Sequence, residues 1–234
     1  MATLDIVSAG RLVVGLGLGY RRKEYENLGI PFGERVARFE EALALMVRLW
    51  TEPHVEHRGR FFAIDGAPHI QPWQRPRPPL WIGADAEPGV LRAARMADAW
   101  PIGPNMPLPD VLALQAVYVA ERARLGLPVG PQPMRRDVAF GPDQPTALAG
   151  FVARSADRYR SYAANERTDV DPGALAERLV YGTVEQCVVG LAALAAVIDV
   201  NPVIVRPHWP GMGQHELVDY LAQLGDLVAG VREL

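Results

Sequence analysis

Thr3 to Glu24, reading TLDIVSAGRLVVGLGLGYRRKE, packs a helix end, a tight turn and a glycine-studded strand into twenty-two residues. The apolar run Leu12 to Leu18 suits a strand buried on both faces, as parallel strands are, and Ser8-Ala9-Gly10 marks the turn that feeds it. Gly15, Gly17 and Gly19 then leave one flank of the strand's carboxyl end without side chains, so that a flat ring or other ligand can approach the backbone. Packing space is the plainer explanation of the same glycines.

A dinucleotide-binding turn would need G-x-G-x-x-G directly between a strand and the helix that holds the pyrophosphate. Tyr20 stands where the third glycine belongs, and no helical pattern starts until about Gly33, after Asn27-Leu28-Gly29-Ile30-Pro31. A nicotinamide dehydrogenase is therefore a remote alternative.

With 234 residues, 49% hydrophobic and 22% charged, the chain suits one globular domain over 1–234 with a substantial core. A net charge of -3 provides no basic field for nucleic acid or an anionic membrane surface. No apolar run reaches a membrane span and no secretory signal is visible at the amino terminus, which makes the expected location cytoplasmic. The single cysteine, Cys187, falls in an apolar helical pattern and reads as a small buried hydrophobe.

Val36, Phe39, Leu43, Met46, Val47 and Trp50 form one buried helical stripe over about Gly33 to Trp50, with Glu34 and Arg38 as an i,i+4 pair and Pro53 as the stop. His54 to Ile64 is irregular with a short extended piece, and a proline-rich connector runs from Ile70 to Pro79. Pro79 to Gly83 reads as a second buried strand, then Asp85 or Ala86 caps a short helix ending near Met96. Ala97 to Gly103 is a third strand. Leu108 to Leu125, Val184 to Val197 and Glu216 to Val231 are helical, while Arg136 to Gly141 and Pro202 to Arg206 are strands. This β-α alternation requires a parallel sheet, either doubly wound or closed into a barrel. Periodicity alone does not choose between them.

TLDIVSAGRLVVGLGLGY, GIPFGERVARFEEALALMVRLW and PPLWIGADAEPGVLRAARMADAWPIG, followed by MRRDVAF, RYRSYAANE, ERLVYGTVEQCV and VIVRPHWPGM, resemble the luciferase-like monooxygenase family, the flavin- and deazaflavin-dependent barrels that include bacterial luciferase. The ordered segments cover nearly the whole chain. The resemblance implies a partial TIM (β/α)8 barrel, with Val13 to Gly19, Leu80 to Ala84, Ala99 to Gly103, Arg136 to Gly141 and Val203 to Arg206 as strands four to eight and the first three strands absent. Five of eight strands leave two open edges, so such a piece is expected to fold poorly alone. An upstream start codon, a truncated remnant or a partner chain supplying the missing strands would each account for the difference.

Barrel sites lie at the carboxyl ends of strands. By resemblance, Gly17, Gly19 and Tyr20 flank the flavin ring, while Gly83, Ala84 and Asp85 open a helix whose N-terminus can hold a phosphate. Asp85 would repel that phosphate and reads mainly as a helix cap, contributing to the cofactor through its backbone. Gly103-Pro104-Asn105 is a second candidate wall. Arg206 and His208, with Trp209, follow the last strand and combine a fixed charge with a titratable ring as candidate catalytic groups; pairing of Arg206 with an interior acid competes with that reading. Tyr159 and Tyr162 are candidates for the substrate side, although an amphipathic helix face explains them more simply. His54-Val55-Glu56-His57 superficially resembles a metal site, but lacks the helical H-E-x-x-H spacing.

The implied activity is redox chemistry on reduced flavin: monooxygenation of a small organic substrate, or hydride transfer by a deazaflavin coenzyme. FMN is preferred because nothing marks a site for the longer coenzyme tail. The implied partners are the small-molecule substrate, a flavin reductase and a second copy of the chain. A non-catalytic remnant or a partner-dependent subunit of the same fold is the alternative.

Overall fold

A computed structural model describes residues 1–163, 172–209 and 212–233. In chain order they form α1 (Ala2–Val7), β1 (Val14–Gly17), α2 (Arg22–Asn27), a 3-10 turn at Phe32–Glu34, α3 (Arg35–Thr51), β2 (Val55–Arg58), β3 (Ala63–Gly66), β4 (Leu80–Gly83) and α4 (Glu87–Met96). There follow α5 (Leu108–Arg124), β5 (Met134–Phe140), α6 (Gln144–Ala163), α7 (Pro172–Ala176), β6 (Leu179–Gly182), α8 (Val184–Val197), β7 (Val203–Val205) and α9 (Gln214–Arg232).

Five parallel segments stand side by side in chain order. β1 pairs with β4, Trp81 of β4 bridges Ala99, Ile102 bridges Met134 at the start of β5, and β5 pairs with β7. Residues 99–102 form bridges rather than a continuous ladder, since Pro101 has no N–H to donate. Among the described residues no strand pairs with the outer edge of β1 or of β7. The sheet is thus an open wall. β6 adds to the carboxyl half of β5, where Asp137 to Phe140 pair with Leu179 to Gly182.

Helices α3, α4, α5, α8 and α9 cover one face of this wall. Val14, Leu80, Ile82, Trp100, Ile102 and Met134 share an apolar cluster with Leu43 and Trp50 of α3, Val90 and Ala93 of α4, and Val111 and Tyr118 of α5. α3 carries the expected stripe, and its Glu34 and Arg38 pair at 3.6 Å. Further along, Val138 and Val180 pack on Cys187 of α8 and Leu227 of α9. Burial pushes the Cys187 thiol up to about 11, so it stays protonated as the expected core hydrophobe.

Polar groups hold the layers in register. Asp98 accepts from Arg77 at 2.6 Å and from the Leu80 amide at 2.7 Å, tying the start of β4 to the next segment. Arg122, buried in α5, donates to Pro128 O at 2.7 Å and to Ala94 O and Ala97 O at 3.0 Å each, closing the end of α4. A capping box of Thr183 and Gln186 starts α8.

Three expectations need correction. α2 is helical before Gly33, because the Tyr25 hydroxyl donates to Leu18 O and the Arg22 and Arg35 guanidinium groups stack 4.6 and 3.8 Å from the Phe32 ring centre. The stretch after Pro53 is an antiparallel hairpin, β2 with β3. It is clasped to α3 by Glu41, which accepts from the amides of Arg60, Phe61 and Phe62 and pairs with His57 at 3.0 Å. β6, within ERLVYGT, adds a strand to the five expected ones. No helix among the described residues is long and apolar enough to cross a membrane.

Candidate functional site

The register of the wall fixes which side chains face away from the helices. Gly15 lies beside Trp81 and Gly17 beside Gly83. Because side chains alternate along a strand, Gly15, Gly17, Trp81, Gly83, Ala99, Pro101 and Gly103 occupy the face opposite Val14, Leu80, Ile82, Trp100 and Ile102. Continuing across, Arg135, Asp137 and Ala139 of β5 share that open face.

Three strand ends meet there, as expected for Gly17, Gly83, Ala84, Asp85 and Gly103. A Cβ placed on Gly15 or Gly17 meets nothing within 4 Å, and one on Gly83 makes only ordinary contacts, at 3.8 Å to Leu16 O and 3.9 Å to Pro101 Cγ. The fold itself does not require glycine at these positions. Ala84 is fixed by its carbonyl, which accepts from Trp100 Nε1 at 2.9 Å.

Asp85 does not cap α4. The N-cap is Ala86, in extended backbone and with no side-chain capping bond. The Asp85 carboxylate instead leans over the next strand end, 3.0 Å from where a Gly103 Cβ would lie. In the first turn of α4 Pro88 has no N–H and the Gly89 and Val90 amides donate to Ala86 O at 2.9 and 3.0 Å, which leaves the Glu87 amide as the donor of that turn with no acceptor among the described residues.

Gly19 has a different explanation from the one expected. Its φ of +80° is the left-handed region, and its missing side chain faces the Tyr25 ring at 3.4 Å, so the turn itself calls for glycine. Tyr20 is exposed at the rim, with the Arg21 guanidinium 5.6 Å from its ring centre.

Arg206 and His208 follow β7, at the far edge of the wall from β1, four strand spacings or about 19 Å along the sheet. They are not part of the glycine cluster on the wall itself. Arg206 lies 4.9 Å from the Trp209 ring centre, and Trp209 packs edge-on against Phe151 at 4.9 Å. His208 is exposed. The side chains of Tyr159 and Tyr162 lie outside the described residues. His54 and His57 are taken up by Asp65 at 2.9 Å and Glu41 at 3.0 Å.

Sequence reading missed the charged group in the middle of β5. Asp137 is buried and pairs with Arg135 at 3.4 Å. Arg136, on the opposite side of the strand, is 3% exposed and donates to Pro104 O at 3.5 Å and Met106 O at 3.3 Å. The run Arg135-Arg136-Asp137 inside a strand was the available signal, since charges in a buried strand need partners.

The model of the luciferase-like monooxygenase family matches residues 1–199. Among curated relatives, a phthiodiolone/phenolphthiodiolone dimycocerosates ketoreductase of Mycobacterium kansasii is 36% identical over 124 residues, 51% of this chain and 33% of the relative. The chain therefore spans about a third of that relative's length. Among solved structures, monooxygenase RslO1 from Streptomyces bottropensis superposes with a TM-score of 0.86 at 23% identity, covering 97% of this chain and 71% of that one. An F420-dependent secondary alcohol dehydrogenase, in complex with an F420-acetone adduct, gives 0.77 at 16% identity, covering 98% of this chain and 72% of that one. The oxygenating constituent of 3,6-diketocamphane monooxygenase from Pseudomonas putida, in complex with FMN, gives 0.71 at 15% identity, covering 96% and 71%. At these identities the structural likeness is one of fold, whereas the family match extends over most of the sequence: this α/β chain belongs to the luciferase-like monooxygenase family of oxidoreductases.

Proposed function

We propose that the chain is the cofactor-facing part of a flavin-dependent monooxygenase acting on a small organic substrate, with its five parallel segments as strands four to eight of a (β/α)8 barrel. One observation carries this reading. Glycine weakens a strand by losing more freedom on folding and packing nothing, yet Gly15 and Gly17 lie on the open face where a side chain would meet nothing. A flat ring lying on that floor accounts for them, with Gly83 and Gly103 extending it.

The residues fit reduced FMN, which when bound supplies the electrons and the oxygen chemistry. Gly17 and Gly83 leave backbone exposed to a ring, Tyr20 covers its edge, and the amino end of α4 offers the Glu87 amide and the helix dipole to a phosphate. The Asp85 carboxylate, turned toward Gly103, opposes an anion there, and Asp85 contributes to the cofactor site through its backbone. Arg206 and His208, on the opposite edge, face the substrate side, where a guanidinium holds an anion and an imidazole moves a proton. A small-molecule substrate, a flavin reductase and a second copy of this chain complete the proposed set of partners, with no role for nucleic acid or membrane. FMN is favoured over a deazaflavin coenzyme because nothing in the sequence marks a site for the longer coenzyme tail.

A second reading is a partner-dependent subunit of the same fold. It is favoured by the unpaired edge of β1, where Leu4 is 61% and Val7 78% exposed on α1.

Visible absorbance of the purified chain with FMN and with deazaflavin coenzyme tests both. A red-shifted, saturable FMN spectrum supports the first reading. A stable monomer that binds neither supports the second, and tight NAD binding contradicts both.

A further inference from the structure

The rim of the wall is unevenly charged. At the amino end of α4 stand Asp85 and Glu87, both exposed, and among the described residues neither has an arginine or lysine in ion-pair range. The arginines of α4 are engaged elsewhere, Arg92 with Glu40 at 2.7 Å and Arg95 with Glu121 at 2.5 Å. The mouth of β1 carries the opposite charge. Arg21, Arg22 and Lys23 follow Tyr20 there, and Arg35 opens α3. Glu24 pairs with Arg21 at 3.4 Å, and Glu34 pairs with Arg38 at 3.6 Å and Arg60 at 2.8 Å. Of the carboxylates between Tyr20 and Arg35, only Glu26 is then left over.

Arg22 and Arg35 are held away from carboxylates. Glu26 lies one helical turn beyond Arg22, the spacing at which ion pairs form on a helix, yet the Arg22 guanidinium lies over the Phe32 ring instead, 4.6 Å from its centre. Arg35 is 3.8 Å from the centre of the same ring and donates to Phe32 O at 2.9 Å. Among the described residues neither has a carboxylate in ion-pair range. The ring is itself fixed to the strand end, because it meets Tyr25 edge-on at 5.3 Å and the Tyr25 hydroxyl donates to Leu18 O, directly after β1. Two guanidinium groups sharing one ring lie at most about 8 Å apart, within the Debye length of about 10 Å in 0.1 M salt, so they repel each other with no carboxylate to offset them. Stacking orders their planes, and the planar N–H fork is the shape that recognises a carboxylate or phosphate.

We propose that Arg22 and Arg35, with Lys23 next to them in α2, bind the oxyanion head group of the organic substrate, a carboxylate or a phosphate monoester. Assigning this anion to the substrate rests on the flavin reading above. A cofactor phosphate at the α4 end stands on the acidic side of the rim, where Asp85 and Glu87 oppose any further anion. A second negative group is drawn to the basic side, at β1. The polarity of the rim thus orients the substrate, with its acid at β1 and its uncharged part over the glycine floor.

The test is anion-dependent melting of the whole chain with sodium benzoate, phenyl phosphate and benzyl alcohol, chloride holding the ionic strength constant. Benzoate or phenyl phosphate raises Tm saturably above the chloride control, and benzyl alcohol does not. The tighter of the two anions names the head group as carboxylate or phosphate. Arg22→Gln weakens it by about tenfold. Arg22→Glu, at an exposed position in the first turn of α2 where the helix dipole favours a carboxylate, keeps the fold and abolishes the response. Arg58→Gln, at a side chain 81% exposed on the hairpin, leaves it unchanged. FMN and riboflavin titrations of the same proteins separate substrate from cofactor. Equal FMN affinity in wild type and Arg22→Glu supports the assignment to the substrate, whereas an Arg22→Glu protein that loses FMN and keeps riboflavin puts the cofactor's own phosphate on these arginines and overturns it. Wild type that binds the anions and no flavin supports the anion site and contradicts the flavin reading alone. The proposal is also overturned if neither anion exceeds chloride, or if Arg22→Glu responds as Arg58→Gln does.

Discussion

The two halves of the open face are built on opposite principles. On β1 and β4 it is bare: Gly15 and Gly17 meet nothing, and Gly83 makes only loose contacts. On β5 and β6 it is filled, since Ala139 packs under Phe151 of α6, Leu175 of α7, Leu179 and Trp209, and Asp137 is buried with Arg135. Both halves belong to the same parallel wall, so secondary structure does not explain the difference. What separates them is whether the chain itself supplies the covering atoms. Under the proposed function, a glycine that the fold does not need is space left for a ligand.

That contrast can be broken most sharply at glycines of the opposite kind. Gly130 has a φ of +73°, and a Cβ there would lie 2.6 Å from Asp98 O, a backbone atom that cannot swing away. Gly130→Ala should cost about 3 kcal/mol, combining left-handed strain with the collision, and lower the urea midpoint accordingly. Asp98→Ala should follow at about 2 kcal/mol, because it strips the Arg77 guanidinium and the Leu80 amide of their charged acceptor.

Acid should act through the helical layer and leave the glycine floor untouched. Glu121, held by Arg124 at 2.6 Å and Arg95 at 2.5 Å, has its pKa lowered from 4.5 to about 2. The unfolded chain therefore takes up this proton first as pH falls. The contribution of Glu121 is complete above 4.5 and is lost as pH drops through about 2. Urea midpoints measured across roughly pH 2 to 6 should fall toward acid in the wild type, and Glu121→Gln should flatten part of that slope. Gly15→Ala should have the smallest effect, staying within about 0.5 kcal/mol of wild type or slightly above it, since the added methyl meets nothing and the unfolded chain loses freedom. A loss matching that of Gly130→Ala would erase the distinction between the two classes of glycine.

The long elements were legible because their periodicity is intrinsic. Leu43, Met46, Val47 and Trp50 mark α3, and Leu80 with Ile82 marks β4, before any tertiary contact is known. α2 and β6 were hidden for the opposite reason. Six residues, Arg22–Asn27, carry no apolar stripe and are held by Tyr25 and by arginine stacking on Phe32. Four residues, Leu179–Gly182, become a strand only by pairing with β5. That Gly17, Gly83, Ala84, Asp85 and Gly103 lie at neighbouring strand ends was legible, because the parallel wall dictates it. The role of Asp85 was not legible, since whether a carboxylate caps its own helix or leans on Gly103 depends on the neighbouring strand.

The most direct test of the account is FMN titration of the wild type beside Gly17→Val, with circular dichroism of both. The account predicts that the two proteins fold alike and that valine on the bare floor weakens FMN by about tenfold or more, the loss of about 1.4 kcal/mol. Equal FMN affinity in two equally folded proteins would contradict it, because the flavin ring would then lie somewhere other than the face that β1 leaves open.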